Sequence, residues 1–314
     1  MKAVLHYRAT PGFRAAISAL ESDWLRIAVV DETDKPTLAR EIHDADVLLH
    51  VLERVTALVI DQAPRLKLIQ KLGVGVDTID LDAARARGIA VCNMPGANTR
   101  AVAELTLLLM LATLRRLSEL DRQTRAGNGW ALDSQLLDDL GELGGRTVGL
   151  VGFGAVGKCL APMLHGIGAK VIYTSRRAAA DTVAQFVSLI DLLSAADIVS
   201  LHVPLSAETA GIIDERAIQK MKQGAVLVNT ARGGLVDYDA LHRALTTGRL
   251  RGAGLDVFDA EPANAAHPLF NLSNIVVTPH VAWFTTETLR RSLGVFAENC
   301  RRLRDGEALI NRVV

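Results

Sequence analysis

A short glycine-rich segment carries the clearest chemistry in this sequence. Glycines stand at positions 152, 154 and 157, directly after an apolar run and before a helical pattern. A strand–turn–helix segment of this kind lets the phosphates of a dinucleotide approach the start of a helix, where N–H groups and the helix dipole favour negative charge. Gly152 would permit the tight turn, Gly154 would admit the pyrophosphate, and Gly157 would let helix and strand pack closely. A tight turn without a ligand is the alternative interpretation.

The end of the next predicted strand bears on the choice of nicotinamide cofactor. An enzyme that uses NAD usually has Asp or Glu there, which accepts hydrogen bonds from the ribose 2′-hydroxyl. This chain has Ser175, Arg176 and Arg177 instead, and the first carboxylate is Asp181. Serine can donate a hydrogen bond to a phosphate, and the planar fork of arginine pairs with two of its oxygens. The loop therefore predicts NADP(H) as the preferred cofactor, with NAD(H) or two merely solvated arginines as the alternatives.

Three more residues could act on a substrate that such a cofactor reduces. Hydride transfer to a carbonyl group needs a proton donor for the forming alkoxide, and a cation would bind a carboxylate on the same substrate. Arg232 and His280 each follow an apolar run, and parallel α/β sheets bind ligands where strands end. Glu261, in another loop after a strand, would favour the charged imidazolium of a nearby His280. His280 would then donate its proton in reduction and accept one in oxidation. A structural arginine and a structural histidine are the alternative.

Alternating strands and helices must position these residues. The first part of the chain predicts strands at 2–7, 27–30, 47–50, 68–71 and 89–92. A turn-rich boundary at 93–98 precedes a helix from residue 100 to about residue 124, which is too apolar for a surface helix and should be buried. The later part predicts strands at 147–151, 170–174, 197–201, 225–229, 252–256 and 275–277, and a final amphipathic helix at about 286–304. This alternation predicts parallel βαβ units in an α/β protein with two halves.

The bulk composition limits the classes of partner. A length of 314 residues predicts two domains. Lys plus Arg and Asp plus Glu both number 35, so no overall basic field would attract nucleic acid or an anionic membrane. The three cysteines, Cys92, Cys159 and Cys300, are far apart and show no ligand spacing, so we expect reduced thiols, no metal site and a cytoplasmic location. We expect no signal peptide and no membrane span.

Several longer segments match a known pattern in order. They read GVGVD at 73–77, NTRAVAE at 98–104, HVPL at 202–205, VNTARGGLVD at 228–237, GLDVFDAEP at 254–262 and TPH at 278–280. Together they closely resemble the D-isomer-specific 2-hydroxyacid dehydrogenase family over nearly the whole chain. The loop of one serine and two arginines resembles the NADPH-dependent glyoxylate/hydroxypyruvate reductases of that family.

The resemblance implies a role for each matching residue. Arg232 would bind the substrate carboxylate and carbonyl, His280 would be the acid/base, and Glu261 would orient it. The backbone N–H groups of Val74 and Gly75 would hold the carboxylate as well, and Leu72 and Trp283 should line a pocket for a small or moderately apolar group. The expected dinucleotide contacts are Thr99, Gly152, Gly154, Ala155, Val156, Gly157, Ser175, Arg176, Arg177, His202, Val203, Pro204, Thr209, Thr230, Ala231, Arg232, Asp256, His280 and Ala282.

The resemblance also implies an organisation and an activity. Two Rossmann-like, doubly wound domains are expected: a substrate domain at 1–98 and 285–314, and a dinucleotide domain at 99–284 inserted into it. A homodimer is expected, with the long helix after residue 100 in the interface and the substrate in a cleft between the domains. The expected reaction reduces a small 2-keto acid of the glyoxylate or hydroxypyruvate type to the D-2-hydroxy acid.

Two other classes of protein share this expected fold. One is a dinucleotide-sensing corepressor, which usually carries long disordered extensions; this chain starts on a predicted strand and ends just after its last helix. The other is a related NAD-dependent dehydrogenase with a different substrate, such as phosphite or formate. A phosphite enzyme should have a lysine in the segment that here reads GVGVD. A larger keto acid is another candidate substrate.

Overall fold

A computed structural model describes all 314 residues and divides the chain into two units. The first unit comprises Met1–Asn98 and Phe284–Val314, and the second comprises Thr99–Trp283. The chain therefore leaves the first unit once and returns to it at its C-terminal end.

The first unit contains one parallel sheet of five short strands. Its elements are β1 (Lys2–His6), α1 (Pro11–Ser18), β2 (Arg26–Val30), α2 (Lys35–Ile42), β3 (Val47–His50), α3 (Ala57–Asp61), β4 (Leu68–Lys71), α4 (Leu81–Ala86) and β5 (Ala90–Cys92). The strand order is β2-β1-β3-β4-β5. β3 and β4 are buried along their whole length, as is typical of parallel strands with helices on both faces. The C-terminal segment belongs to this unit, because Asn299 donates to Gln70 of β4 at 2.7 Å.

The second unit contains a parallel sheet of seven strands. Its elements are α5 (Thr99–Leu114), α6 (Leu117–Arg125), α7 (Ser134–Asp138), β6 (Thr147–Val151), α8 (Ala155–Gly166), β7 (Lys170–Thr174), β8 (Gln185–Phe186), α9 (Leu189–Ala195), β9 (Ile198–Leu201), α10 (Glu215–Lys220), β10 (Ala225–Asn229), α11 (Tyr238–Thr246), β11 (Leu250–Leu255) and β12 (Ile275–Val277). The last helix, α12 (Thr286–Asp305), lies in the first unit. The strand order is β12-β11-β10-β9-β6-β7-β8, so the connections reverse direction between β6 and β9. Sheets of this kind bind ligands beyond the carboxyl ends of the strands at that reversal.

The predicted α/β class with two parallel sheets is confirmed. The strands predicted at 47–50, 68–71, 147–151, 170–174, 225–229 and 275–277 have those bounds, and the other predicted strands differ by one or two residues. α2, α3, α7 and β8 are not predicted from the sequence, because they are too short to show a clear periodicity. No helix of the chain has both the length and the apolar character that crossing a bilayer requires.

The prediction of a single helix from residue 100 to about residue 124 is wrong. α5 ends at Leu114, and the left-handed backbone of Arg116, with a φ of 52°, separates it from α6. The Nε atom of Arg116 donates to Oδ2 of Asp139 at 2.7 Å, which holds the chain in this turn. Burial also differs between the two helices: α5 packs on α8, β10 and β11, whereas α6 has no buried side chain.

Glycines of β11 allow α5 to lie directly on the sheet. A Cβ atom on Gly254 would be 2.9 Å from Cβ of Leu109, and one on Gly252 would be 2.7 Å from Cγ2 of Thr113. Side chains at these two positions would push the helix away. The close packing brings the middle of α5 beside the end of β10, where the hydroxyls of Thr106 and Thr230 lie 2.8 Å apart.

Candidate active site

The loop between β6 and α8 has the geometry of a phosphate-binding turn. Gly152 has a φ of 101°, and its N–H group donates to the Thr174 carbonyl at 2.9 Å. A Cβ atom on Gly152 would lie 2.6 Å from the carbonyl oxygen of His202, so only glycine fits here. A Cβ atom on Gly154 would meet no atom within 4 Å, whereas one on Gly157 would lie 2.8 Å from the Gly152 oxygen. The first N–H groups of a helix lack partners within it, so this open space suits a pyrophosphate.

The loop after β7 presents two arginines to solvent. Arg176 and Arg177 are exposed and form no ion pair. The sequence predicts that the Ser175 hydroxyl donates to a phosphate. In the structure, its Oγ donates instead to the Arg177 carbonyl at 2.5 Å. The hydroxyl thus closes the turn that carries the arginines. Below the turn, the buried Tyr173 accepts a hydrogen bond from the Ala179 N–H at 2.7 Å, which fixes the loop to the end of the strand.

The loop after β9 borders the phosphate-binding turn. Nε2 of His202 lies 2.9 Å from the Ser200 hydroxyl, and burial lowers the pKa of His202 to about 4. The imidazole is therefore neutral at neutral pH. Further along the loop, the Thr209 hydroxyl accepts from the Ser206 N–H at 2.8 Å and donates to the Pro204 carbonyl at 2.6 Å. Thr209 consequently shapes the loop from within.

A buried amide organises the turn after β10. Asn229 is fully buried; its Nδ2 donates to the Arg232 carbonyl at 2.8 Å, and its Oδ1 accepts from the Ala231 N–H at 3.0 Å. Arg232 has an extended backbone, and its Nη1 donates to the Ala231 carbonyl at 2.8 Å. Thr230, in the same turn, is held through its contact with Thr106 of α5. The turn therefore places the guanidinium just beyond the carboxyl end of the strand.

The loops after β11 and β12 bring Glu261 and His280 together. Nδ1 of His280 lies 2.5 Å from Oε2 of Glu261, and Oε1 of Glu261 accepts from the Phe258 N–H at 3.0 Å. Burial alone would raise the pKa of Glu261. The hydrogen bond and charge of His280, the Phe258 N–H and the charge of Arg232 outweigh it, so the pKa is lowered. The ionised Glu261 orients the imidazole through Nδ1 and leaves Nε2 for a substrate.

The Arg232 turn and the Glu261 loop touch through a glycine. A Cβ atom on Gly233 would lie 1.9 Å from the Phe258 carbonyl oxygen, so no side chain fits at that position. Arg232 lies close enough to Glu261 for its charge to contribute to the lowered pKa of that carboxyl. The cation, the carboxylate and the imidazole therefore belong to one connected set of turns.

The turn that carries His280 is held by Asp256. The backbone of His280 is left-handed, with a φ of 55°, which is uncommon for a residue other than glycine. Asp256 is fully buried; it accepts from the Thr278 hydroxyl at 2.6 Å and from the Val281 and Ala282 N–H groups at 2.9 Å. Burial raises the pKa of the Asp256 carboxyl, and these hydrogen bonds oppose that shift. Asp256, expected as a dinucleotide contact, uses its carboxylate to shape the histidine turn.

Comparison with known proteins agrees with this geometry. The family model for the NAD binding domain of D-isomer specific 2-hydroxyacid dehydrogenases matches residues 107–282. The chain belongs to this family. It is 42% identical to the glyoxylate reductase of Thermofilum pendens over 88% of this chain and 84% of that protein.

Two other similarities extend the comparison. The chain is 41% identical to the D-3-phosphoglycerate dehydrogenase of Mycobacterium leprae over 94% of this chain but 56% of that protein, so it spans about half the length of such relatives. The crystal structure of the TT0316 protein from Thermus thermophilus matches with a TM-score of 0.90 and 39% identity, over 100% of both chains. The nicotinamide dinucleotide cofactor of the family is therefore the group that the glycine turn must fit.

The remaining predicted site residues lie in different environments. Trp283 is 7% exposed and donates from its indole N–H to the His280 carbonyl at 3.1 Å. In the first unit, Val74 is 45% exposed, whereas Leu72 is only 3% exposed. Four of the expected dinucleotide contacts, Thr99, Val156, Val203 and Ala231, are half-buried, and Ala155 is exposed at the start of α8.

Sequence reasoning missed the role of Asn229. A signal was present, because an Asn at the end of a strand often hydrogen-bonds the backbone two residues further on. Here Asn229 does so with Ala231. No group of three or more His, Cys, Asp or Glu side chains in the chain is arranged to hold a metal ion.

Proposed function

We propose that this dehydrogenase reduces a small 2-keto acid, of the glyoxylate or hydroxypyruvate type, to the D-2-hydroxy acid with NADPH. The observation that carries the proposal is the 2.5 Å contact between His280 Nδ1 and Glu261 Oε2 beside the Arg232 turn. The similarity to a glyoxylate reductase over most of both chains supports the substrate class.

Arg232 is proposed to bind the substrate. A guanidinium fork pairs with two oxygens of a planar 2-keto acid, which a single ammonium does less well. The hydrogen bond from Arg232 Nη1 to the Ala231 carbonyl, at 2.8 Å, fixes one edge of the fork and so limits its rotation.

His280 is proposed to move the proton. The dinucleotide, when bound, supplies a hydride to the carbonyl carbon. In reduction, protonated His280 gives its Nε2 proton to the oxygen that becomes the hydroxyl, and the ionised Glu261 stabilises the imidazolium before transfer. In oxidation, neutral His280 takes the hydroxyl proton at the same nitrogen.

The loop after β7 supports the NADPH proposal. Arg176 and Arg177 are exposed and have no carboxylate within ion-pair distance, so a 2′-phosphate would not have to displace one. The Ser175 hydroxyl closes their turn. No carboxylate directly follows β7 to accept the 2′-hydroxyl of NAD.

We also propose that the functional form is a homodimer. Large apolar side chains are exposed on the α5–α7 part of the second unit: Leu108 (52%), Leu117 (50%), Trp130 (90%) and Leu137 (48%). Exposed apolar groups of this kind mark association surfaces. Sedimentation equilibrium of the wild type should give twice the monomer mass; a monomer would overturn this part of the proposal.

A panel of substrates and cofactors tests the function. Initial rates with glyoxylate, hydroxypyruvate, pyruvate and 3-phosphohydroxypyruvate should be measured with NADPH and with NADH. We expect the highest kcat/KM for glyoxylate or hydroxypyruvate with NADPH. Equal or better use of NADH would overturn the cofactor proposal, and turnover of the phosphorylated acid alone would overturn the substrate proposal.

A further inference from the structure

Both ends of the Asn229 amide are engaged at the end of β10. Nδ2 donates to the Arg232 carbonyl at 2.8 Å, and Oδ1 accepts from the Ala231 N–H at 3.0 Å. The side chain is fully buried, so water cannot replace either partner. The two hydrogen bonds thus hold the segment 230–232 against one planar amide group.

The Ala231 peptide connects this turn to the guanidinium. Its N–H is held by Asn229, and its carbonyl accepts from Nη1 of Arg232 at 2.8 Å. A change in the orientation of the Ala231 peptide would therefore move the anchor of the guanidinium. No direct contact between Asn229 and the guanidinium is needed for this effect.

The backbone of Asn229 reaches the second catalytic turn as well. Its carbonyl accepts from the Asp256 N–H at 2.9 Å, and the Asp256 carbonyl accepts from the His280 N–H at 2.7 Å. Adjacent strand ends thus link the turn of Arg232 to the turn of His280. A displacement of Asn229 would therefore move both the turn of Arg232 and the turn of His280.

We infer that Asn229 is a positioning residue that sets the direction in which the Arg232 guanidinium leaves β10. The inference rests on the proposed function, because it requires Arg232 to bind the substrate carboxylate. Of the side chains of this size, only an amide donates and accepts from one planar group at every pH, whereas a carboxyl must be protonated to donate. Aspartate would still accept from Ala231, but its second oxygen would face the Arg232 carbonyl, so that two acceptors would meet at hydrogen-bond distance.

Asn229→Asp is the decisive variant because its defect depends on protonation. The ionised carboxylate should lower kcat/KM for glyoxylate with NADPH about 10- to 100-fold, mainly through the KM for glyoxylate, since small displacements of a positioning group have such effects. The KM for NADPH should stay close to the wild-type value. As the pH falls, the protonated carboxyl can donate to Arg232, so the ratio of variant to wild-type kcat/KM should rise.

Two other variants separate this role from a merely structural one. Asn229→Ser is neutral and can make only one of the two bonds, so its loss should not vary with pH relative to the wild type. Should Asn229→Asp not fold, the split between the KM for glyoxylate and the KM for NADPH in Asn229→Ser carries the test. Asn274→Asp is the matched control, because the Asn274 amide donates to the Leu245 carbonyl at 3.2 Å, at the start of β12 rather than at a catalytic turn.

The outcomes distinguish the inference from the proposed function. An inactive wild type would contradict the proposed function. The inference would then be tested with oxalate, a small carboxylate probe. It predicts that oxalate raises the melting temperature of the wild type more than that of Asn229→Asp, and equal increases would overturn it. An active wild type with an Asn229→Asp variant equal to the Asn274→Asp control would overturn the inference alone. A loss confined to the KM for NADPH, or one that does not recover at low pH, would also overturn it.

Discussion

The carboxyl edges of the two parallel sheets carry basic residues in different surroundings. In the first unit, His6, His50 and Lys71 stand in register at the carboxyl ends of β1, β3 and β4, and they are 5%, 1% and 5% exposed. In the second unit, the strand ends lead into turns that carry Arg232 and His280. The same architecture thus places basic residues at both edges, but in contrasting surroundings.

The contrast lies in what the buried polar groups do. His6 Nε2 and His50 Nδ1 are buried without a hydrogen-bond partner. Burial lowers the pKa of both imidazoles, and the charges of Lys35 near His6 and of Lys71 near His50 add to the effect. In the second unit, the buried Asn229 and Asp256 instead hold turns whose side chains can meet a substrate. The buried polar groups of the second unit thus fix more exposed neighbours, whereas His6 and His50 each keep one ring nitrogen without a partner.

Removal of the imidazole at the edge of the second sheet should have the largest effect. His280→Ala should lower kcat about 10²- to 10⁴-fold, because the proton donor is lost. Dinucleotide affinity, measured by fluorescence titration, should change little. His165→Ala, an exposed histidine of α8, is the control and should keep wild-type kinetics. A His280→Ala variant with wild-type kcat would show that the imidazole does not donate the proton.

Arg232→Lys should have the next largest effect, because it keeps the charge but loses the fork. We expect a loss of about 100-fold in kcat/KM for glyoxylate, shared between KM and kcat, since the carbonyl would no longer be held in line for transfer. The melting temperature should stay near that of the wild type. A lower melting temperature with near-normal kinetics in the folded fraction would make Arg232 structural, like the buried basic residues of the first unit.

The loop after β7 should affect the cofactor only. Replacing both Arg176 and Arg177 with Ser should raise the KM for NADPH about tenfold or more, because two charge-assisted bonds to the 2′-phosphate are lost. The KM for NADH should be unchanged. Arg216→Ser, an exposed arginine of α10, is the control. A similar increase for both cofactors would show that the loop does not discriminate between them.

Glu261→Gln should alter the pH dependence of the reaction more than its maximal rate. The lowered pKa of Glu261 means that its carboxylate is charged throughout the neutral range, where it contacts Nδ1 of His280. Without that charge, the decline in reduction rate with rising pH should begin at a lower pH. Rates should be measured from about pH 5 to about pH 9 at saturating NADPH, a range that spans ordinary histidine titration. A profile that coincides with the wild type would refute the pairing.

The smallest effect should appear in the stability of the first unit. In the unfolded chain histidine titrates near pH 6.5, whereas the pKa values of His6 and His50 are lowered in the fold. The unfolded chain therefore binds more protons as the pH falls below about 6.5, and stability decreases there. Replacing both with Asn should reduce the fall in melting temperature between about pH 7 and about pH 5. An unchanged slope, equal to that of His165→Asn, would contradict this prediction.

Local sequence patterns predicted the sheets well because parallel strands are short apolar runs. The strands Val47–His50 and Ala225–Asn229 are buried at every position, so their bounds can be read from residue type alone. The break at Arg116 could not be predicted in this way, because it depends on a hydrogen bond to Asp139, 23 residues further along the chain.

The candidate site was predictable in part. The sequence points to Arg232, Glu261 and His280, because each follows a predicted strand and lies in a segment that resembles the 2-hydroxyacid dehydrogenase family. Of the supporting contacts, only the hydrogen bond from the Ala231 N–H to Asn229 left a signal in the sequence. Asn229 and Asp256 act through backbone groups of neighbouring turns, and the Ser175 hydroxyl donates to its own loop rather than outward. Such contacts depend on turn geometry, which residue type alone does not determine.

Product analysis tests the central claim most directly. Hydroxypyruvate and NADPH should be incubated with the wild type and with His280→Ala, and the glycerate formed should be resolved by chiral chromatography. The account predicts D-glycerate from the wild type, with consumption of one NADPH for each glycerate, and almost none from His280→Ala. L-glycerate, no product from the wild type, or equal amounts from both proteins would contradict it.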